Sequence, residues 1–105
     1  MRIISFKKLR EFYQTPGNEE AEPPLRAWYQ VVRRADWRNF GDVRATYNTV
    51  DQETGTRRVI FDIGGNKYRL IAVIDYERHK IFIRFVLNHK EYLKGKWKKD
   101  TFGAD

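Results

Sequence analysis

Apolar positions recur with a helical period in the first half of this chain and with a strand period in the second, and the change falls at Arg57. Met1 to Ile4 predicts a short first strand, with Ser5 as N-cap of a helix over residues 7–14. There Leu9, Phe12 and Tyr13 recur at spacings of three and four and share one face. Pro16-Gly17 ends that helix, and the acidic stretch from Asn18 to Glu22 predicts an exposed loop. A second helix is predicted over 24–35, opened by Pro23-Pro24, with Leu25, Trp28, Tyr29 and Val32 as its apolar stripe and Arg26, Arg33 and Arg34 off it. Residues 36–41 predict a turn, 42–47 a short third helix or single helical turn, and 49–56 a polar loop with a weak strand at its start.

From Arg57 onward β-branched and aromatic residues dominate, and Gly64-Gly65-Asn66 and Glu77-Arg78-His79-Lys80 interrupt them as turns, so three antiparallel strands follow. With Glu77 to Lys80 as a four-residue loop, Arg69 falls across from Asn88, beside His89, and Arg84 falls across from Val73. Strand parity then puts Arg69 and Arg84 on one face. Four residues of register, ~13 Å at strand rise, keep them from sharing one phosphate. The assembled expectation is an α+β fold: an N-terminal strand and two to three helices on one face of an antiparallel C-terminal β-meander.

Composition narrows the functional classes. A chain of 105 residues suits one domain spanning 1–105, with a basic tail after about residue 93 that is expected to be flexible. It has no cysteine, which excludes disulfides, zinc-thiolate sites and thiol catalysis, and the two histidines are too few for a transition-metal site, so no metal or cofactor is expected. No stretch approaches a membrane span, and the N-terminus lacks a secretory pattern, which makes the cytoplasm the expected compartment. The net charge of +7 is uneven: residues 1–55 hold 9 cations against 8 anions, residues 56–105 hold 12 against 6. The excess therefore lies on the hairpins and tail, where it suits a polyanion such as RNA. An acidic protein or membrane surface would also satisfy it.

The chemistry-bearing residues gather in that second half. A cation inside a strand gives up hydration and needs a partner or a use, which singles out Arg69 and Arg84. Asn88-His89-Lys90-Glu91-Tyr92 adds an imidazole and a phenol at the end of the last strand. Pro24-Leu25-Arg26-Ala27-Trp28-Tyr29, Ala35-Asp36-Trp37, the run from Val59 to Leu70, Ile83-Arg84-Phe85-Val86 and His89-Lys90-Glu91-Tyr92 together resemble the HigB family of bacterial type II toxins over nearly the whole chain.

That resemblance implies a RelE/ParE-like fold and a metal-independent endoribonuclease that cuts messenger RNA on the ribosome. It also implies a cognate helix-turn-helix antitoxin of the HigA type, held in an oligomeric complex. The ribose 2′-oxygen attacks the adjacent phosphorus in such chemistry, which calls for a base, cations around the phosphorane and a donor to the leaving 5′-oxygen. By match to the family, Arg69 is expected at the scissile phosphate, and His89 and Tyr92 share the base, acid and stacking roles. Relatives often carry lysines on the strand before the glycine turn, whereas this chain has Asp62, placed to pair with Arg69.

Each residue also has a plainer reading. Arg69 could be only Asp62's partner; Lys67, Lys90 and Arg84 are candidate RNA contacts, with strand-edge charge, solvated tail and structural packing as their simpler roles. Tyr92 could close the core, and His79 is expected to be solvated in its turn. Two other functions fit the scaffold: a non-catalytic ParE-like inhibitor of DNA gyrase, and a plain RNA-binding module. The terminal His-Lys-Glu-Tyr cluster favours the nuclease.

Overall fold

The computed structural model describes residues 1–103. Its elements in order are β1 (Arg2–Ile4), α1 (Phe6–Gln14), a 3-10 turn (Glu19–Ala21), α2 (Glu22–Arg34), α3 (Phe40–Thr46), β2 (Asp51–Gln52), β3 (Arg58–Ile63), β4 (Tyr68–Asp75), β5 (Lys80–Asn88), α4 (His89–Lys94) and a second 3-10 turn (Lys96–Lys99). They build a five-stranded sheet in the order β1-β5-β4-β3-β2. Neighbours from β2 to β5 are antiparallel, and β1 joins parallel to β5. This is the expected α+β architecture, and the weak strand at the start of 49–56 is β2.

The helices form where the apolar period put them. Leu9 and Tyr13 of α1 and Leu25, Trp28 and Val32 of α2 are buried against Val59, Phe61, Leu70, Ala72, Ile81 and Ile83 of the sheet. Phe61 is the centre of this core, with the rings of Trp28, Tyr47 and Trp37 at 5.3, 5.5 and 6.1 Å. The third helix begins earlier than its apolar pattern indicates. Asn39 Oδ1 accepts from the Asp42 amide at 3.0 Å while Asp42 Oδ2 accepts from the Arg38 amide at 2.9 Å, so two polar side chains cap a turn that contains Gly41.

The β4–β5 register differs from the expected one by a turn and a bulge. The loop is Tyr76 to His79, closed by the Asp75↔Lys80 pair. Asp75 Oδ1 accepts from the Arg78 amide at 3.1 Å and His79 takes a positive φ of 56°. A register shift at Ile71/Ala72 then leaves Arg84 as the extra residue between Ile83 and Phe85. As a result Arg69 pairs with Leu87 rather than Asn88, and Arg84 is not opposite Val73.

A second face of the sheet is covered as well. Trp97, in the 3-10 turn after α4, is buried against Ile60 and Ile71, with Phe85, Leu87 and Tyr92 packed around them. The chain runs on to Gly103, whose carbonyl accepts from the Arg57 amide at 2.8 Å. Gly103 has φ +74°, and a Cβ there would stand 2.5 Å from Val73 Cγ2, so only glycine lets the chain lie this close to β4.

Candidate active site

The site begins at the β3–β4 turn. Gly64 and Gly65 take φ of +63° and +70°, which turns the chain so that β4 returns beside β3 with Asp62 paired to Arg69. The Arg69 side chain lies on the sheet face that carries Trp97, almost wholly buried, and its head is engaged on several sides. Nε stands 3.0 Å from Asp62 Oδ1. Nη1 donates to the carbonyls of Asn66 at 3.3 Å and Tyr68 at 3.2 Å, and Nη2 donates to Asn66 Oδ1. Burying a guanidinium is costly unless its donors are met, and here the turn supplies them.

Leaving β5, the chain turns into α4, which Asn88 caps by accepting from the Glu91 amide at 2.8 Å. The His89 amide donates to the Lys67 carbonyl at 3.0 Å, tying α4 to the same turn that holds Arg69. His89 and Tyr92, three residues apart on this helix, are neighbours on its surface. Arg69 Cζ lies 5.2 Å from the centre of the Tyr92 ring. The structure thus brings Arg69, Tyr92 and His89 to one end of the sheet. Helix α4 does this, in place of the cross-strand neighbour relation that the expected register offered.

Electrostatics separate their chemistry. Burial pushes the Tyr92 phenol above its usual 10.0, and the nearby Arg69 charge opposes this only in part, so the hydroxyl stays protonated at neutral pH. It can donate a proton or a hydrogen bond. His89 Nδ1 is buried without a hydrogen-bond partner among the described residues, which leaves Nε2 as the nitrogen able to meet a ligand.

Lys67 lies at the turn, exposed, with Nζ 3.2 Å from Glu20 Oε2. Lys90 is exposed on α4 next to His89. Arg84 is elsewhere: it grips Asp100 with Nε and Nη2 at 2.8 and 3.1 Å and lies 4.5 Å from the Phe102 ring centre. His79 sits in the loop at the far end of β5 from His89, with Nδ1 3.1 Å from Asp36 Oδ1.

Four contributors escaped the sequence reading. Trp97 stacks on Tyr92 at 5.4 Å with ring planes 6° apart, and its Nε1 donates to the Tyr92 carbonyl at 3.0 Å. Arg58 is buried beneath it, 5.7 Å from the Trp97 ring centre, paired with Glu53 at 2.6 Å and donating to the Asp100 carbonyl at 2.6 Å. Asp100 and Asn66 complete the set. One signal for them was present: apart from Asp62 and Arg84, Val59 to Ile63, Leu70 to Ile74 and Ile81 to Leu87 are apolar on both parities, a pattern of strands covered on two faces.

Comparison with known proteins agrees with this architecture. A sequence profile of the HigB toxin family, described as the RelE-like toxic component of a toxin-antitoxin system, matches residues 21–95, from α2 through α4. A protein named mRNA interferase HigB from Escherichia coli O6:H1 is 28% identical over 95 residues, 90% of each chain. One of the same name from Shigella flexneri is 26% identical over 93 residues, 88% of each chain. The profile takes in the turn that holds Arg69 and the helix that carries His89 and Tyr92, and the chain belongs to the HigB toxin family, the RelE-like toxic component of a toxin-antitoxin system.

Proposed function

We propose that this toxin is an mRNA interferase: an endoribonuclease that cuts translated messages on the ribosome without a metal ion and so arrests translation and growth. The observation that carries the reading is the convergence of Arg69, Tyr92 and His89, a buried cation, a protonated phenol and an imidazole, at one end of the sheet. Relatives of 26–28% identity named mRNA interferases support it.

In this reading the ribose 2′-oxygen attacks the adjacent phosphorus, the bond to the 5′-oxygen breaks, and a 2′,3′-cyclic phosphate results. His89, through Nε2, takes the 2′-hydroxyl proton. Tyr92, protonated at neutral pH, donates to the leaving oxygen or to the phosphorane. Arg69 is held too firmly by Asp62 and Asn66 to wrap a phosphate with its full fork, so its part is to fix the Tyr92 ring and to supply positive potential. The mobile cations are Lys67, whose exposed pair with Glu20 is cheap to exchange for a phosphate, and Lys90. Arg84, committed to Asp100, anchors the C-terminal segment.

The rest of the proposal follows the family: a HigA-like helix-turn-helix antitoxin that forms an oligomeric complex with the toxin, and action in the cytoplasm. Primer extension across a translated reporter after induction of the chain tests the reading, with new 5′ ends inside the open reading frame as the expected result and an unbroken message during growth arrest as the contrary one.

A further inference from the structure

Trp97 is held against Tyr92 more specifically than a core plug requires. Helix α4 ends at Gly95, whose amide donates to the Tyr92 carbonyl at 3.1 Å, and the chain then doubles back so that the Trp97 indole N–H donates to the same carbonyl at 3.0 Å. The indole also lies parallel to the Tyr92 ring, 5.4 Å between centres and 6° between planes. One side chain thus holds both the backbone and the ring of Tyr92. Trp97 itself is 4% exposed and so is shielded from any message.

The indole is fixed in its turn. Ile60 and Ile71 pack against it from the sheet. The Arg58 guanidinium, 5.7 Å from the indole centre, donates to the carbonyls of Lys98 and Asp100 at 3.4 and 2.6 Å, and Arg84 grips the Asp100 carboxylate. The chain is therefore anchored on both sides of Trp97, by α4 before it and by two arginines after it. Arg69, Tyr92, Trp97 and Arg58 form one row that runs from the sheet through the helix and the tail back to the sheet. Covering Ile60 and Ile71 needs only an apolar side chain, whereas the parallel stack and the N–H aimed at the Tyr92 carbonyl need an indole.

We propose that Trp97 is a positioning residue of the nuclease: it holds the Tyr92 phenol in the orientation from which its hydroxyl donates to the leaving oxygen, and Arg58 and Asp100 hold Trp97. A ring restrained on one side only keeps freedom about its side-chain torsions, and a donor displaced by about 1 Å can lose ~10²-fold in rate. The stack and the shared carbonyl remove that freedom. Trp97 lies beyond the stretch 21–95 that the family profile matches, so the segment after that stretch completes the site. The proposal rests on the nuclease reading and adds to it the element that orients the acid.

The test uses the full chain on ribosomes carrying a defined message, at a temperature where each variant is folded. Trp97→Leu keeps an apolar cover over Ile60 and Ile71 and loses both the stack and the N–H. It is expected to lower kcat ~10–100-fold with KM unchanged. Trp97→Phe keeps a ring against Tyr92 and should recover most of that loss. Trp97→Leu combined with Tyr92→Phe should be no slower than Tyr92→Phe alone, because the orientation of an absent hydroxyl has no effect. If the cavity left by Trp97→Leu prevents folding, the same cycle is run with Trp97→Phe, whose few-fold fall in kcat should again vanish beside Tyr92→Phe. Proton NMR of the free toxin reads the ring without cleavage: the Tyr92 ring signals, shifted upfield by the indole, should move back in Trp97→Leu.

An unchanged kcat in a Trp97→Leu toxin whose Tyr92 signals have moved would overturn the proposal and leave the nuclease reading standing. So would an equal fall in kcat with and without the Tyr92 hydroxyl, which would make Trp97 purely structural, or Tyr92 signals that stay in place when the indole is removed. An unaltered chain that cuts no message would overturn the nuclease reading and this proposal with it.

Discussion

The Arg69 guanidinium stands 5.2 Å from the centre of the Tyr92 ring, and this pair joins the β-sheet to the helix that carries the imidazole. The cation is fixed by Asp62 and Asn66, and the ring is fixed on Trp97. Neither can move without disturbing the other. Arg69 therefore has a structural and a chemical role at once, and variants must be chosen to separate them.

Arg69→Ala is expected to abolish toxicity and also to destabilise the toxin by ~1–3 kcal/mol, because it leaves Asp62 and the Asn66 side chain without their buried partner. The double variant with Asp62→Asn should recover part of the stability and none of the activity. Urea denaturation and growth assays on the four members of this cycle provide the measurement. Full toxicity in Arg69→Ala would leave the arginine a purely structural role.

Tyr92→Phe keeps the ring between its neighbours and removes only the hydroxyl. The expected result is unchanged stability with cleavage slowed by ~10²–10⁴-fold, the range for a lost proton donor. Because burial holds the phenol above its ordinary 10.0, the alkaline fall in rate that Tyr92 contributes should have its midpoint above that value. A fall with its midpoint between neutral pH and 10.0 that Tyr92→Phe removes would contradict the donor assignment.

The pair of Arg84 and Asp100 makes a prediction about acid. Hydrogen bonds from Arg84 hold the Asp100 carboxyl below its ordinary 3.8. A depressed carboxylate adds stability that is complete above its unfolded value and is lost as pH falls through its lower folded value. Stability of the toxin should therefore decline below about pH 4, and Asp100→Asn should be less stable at neutral pH and flatter across that window. Arg84→Ala should cost ~1.5–3 kcal/mol while RNA affinity stays unchanged in the still-folded fraction. Thermal melts across pH test the first part and filter binding the second.

Cleavage is expected to survive removal of divalent metal. The two histidines stand at opposite ends of β5, and the described residues bring no three His, Asp or Glu side chains together as a ligand set. EDTA added to a sensitive model RNA should leave the rate unchanged. Rescue of a lost rate by one particular divalent ion would require Asp62 or Glu91 to be reread as ligands.

Much of the fold was legible because it depends on local period. Leu25, Trp28 and Val32 announce α2, and Gly64-Gly65-Asn66 announces the hairpin that presents Arg69. The Asp62–Arg69 pair was legible too, since the glycine turn between them brings the two positions near each other, and the structure makes them direct cross-strand partners. The bulge at Arg84 was not, because one extra residue in β5 is accommodated by long-range pairing with β4 and leaves no local mark. Trp97 was hidden for another reason. It is a single aromatic among Lys94, Lys96, Lys98 and Lys99, and its burial depends on Ile60 and Ile71, which are distant in sequence. With Trp97 missed, the support under Tyr92 was missed as well.

The central claim is that His89, Tyr92 and Arg69 form a ribonuclease site, and primer extension on a translated reporter tests it most directly when the unaltered toxin and His89→Ala are run side by side. The account predicts new 5′ ends within the open reading frame for the unaltered chain, and none for His89→Ala, whose thermal stability should be unchanged. An unbroken message during clear growth arrest by the unaltered toxin, with DNA gyrase inhibited, would contradict it.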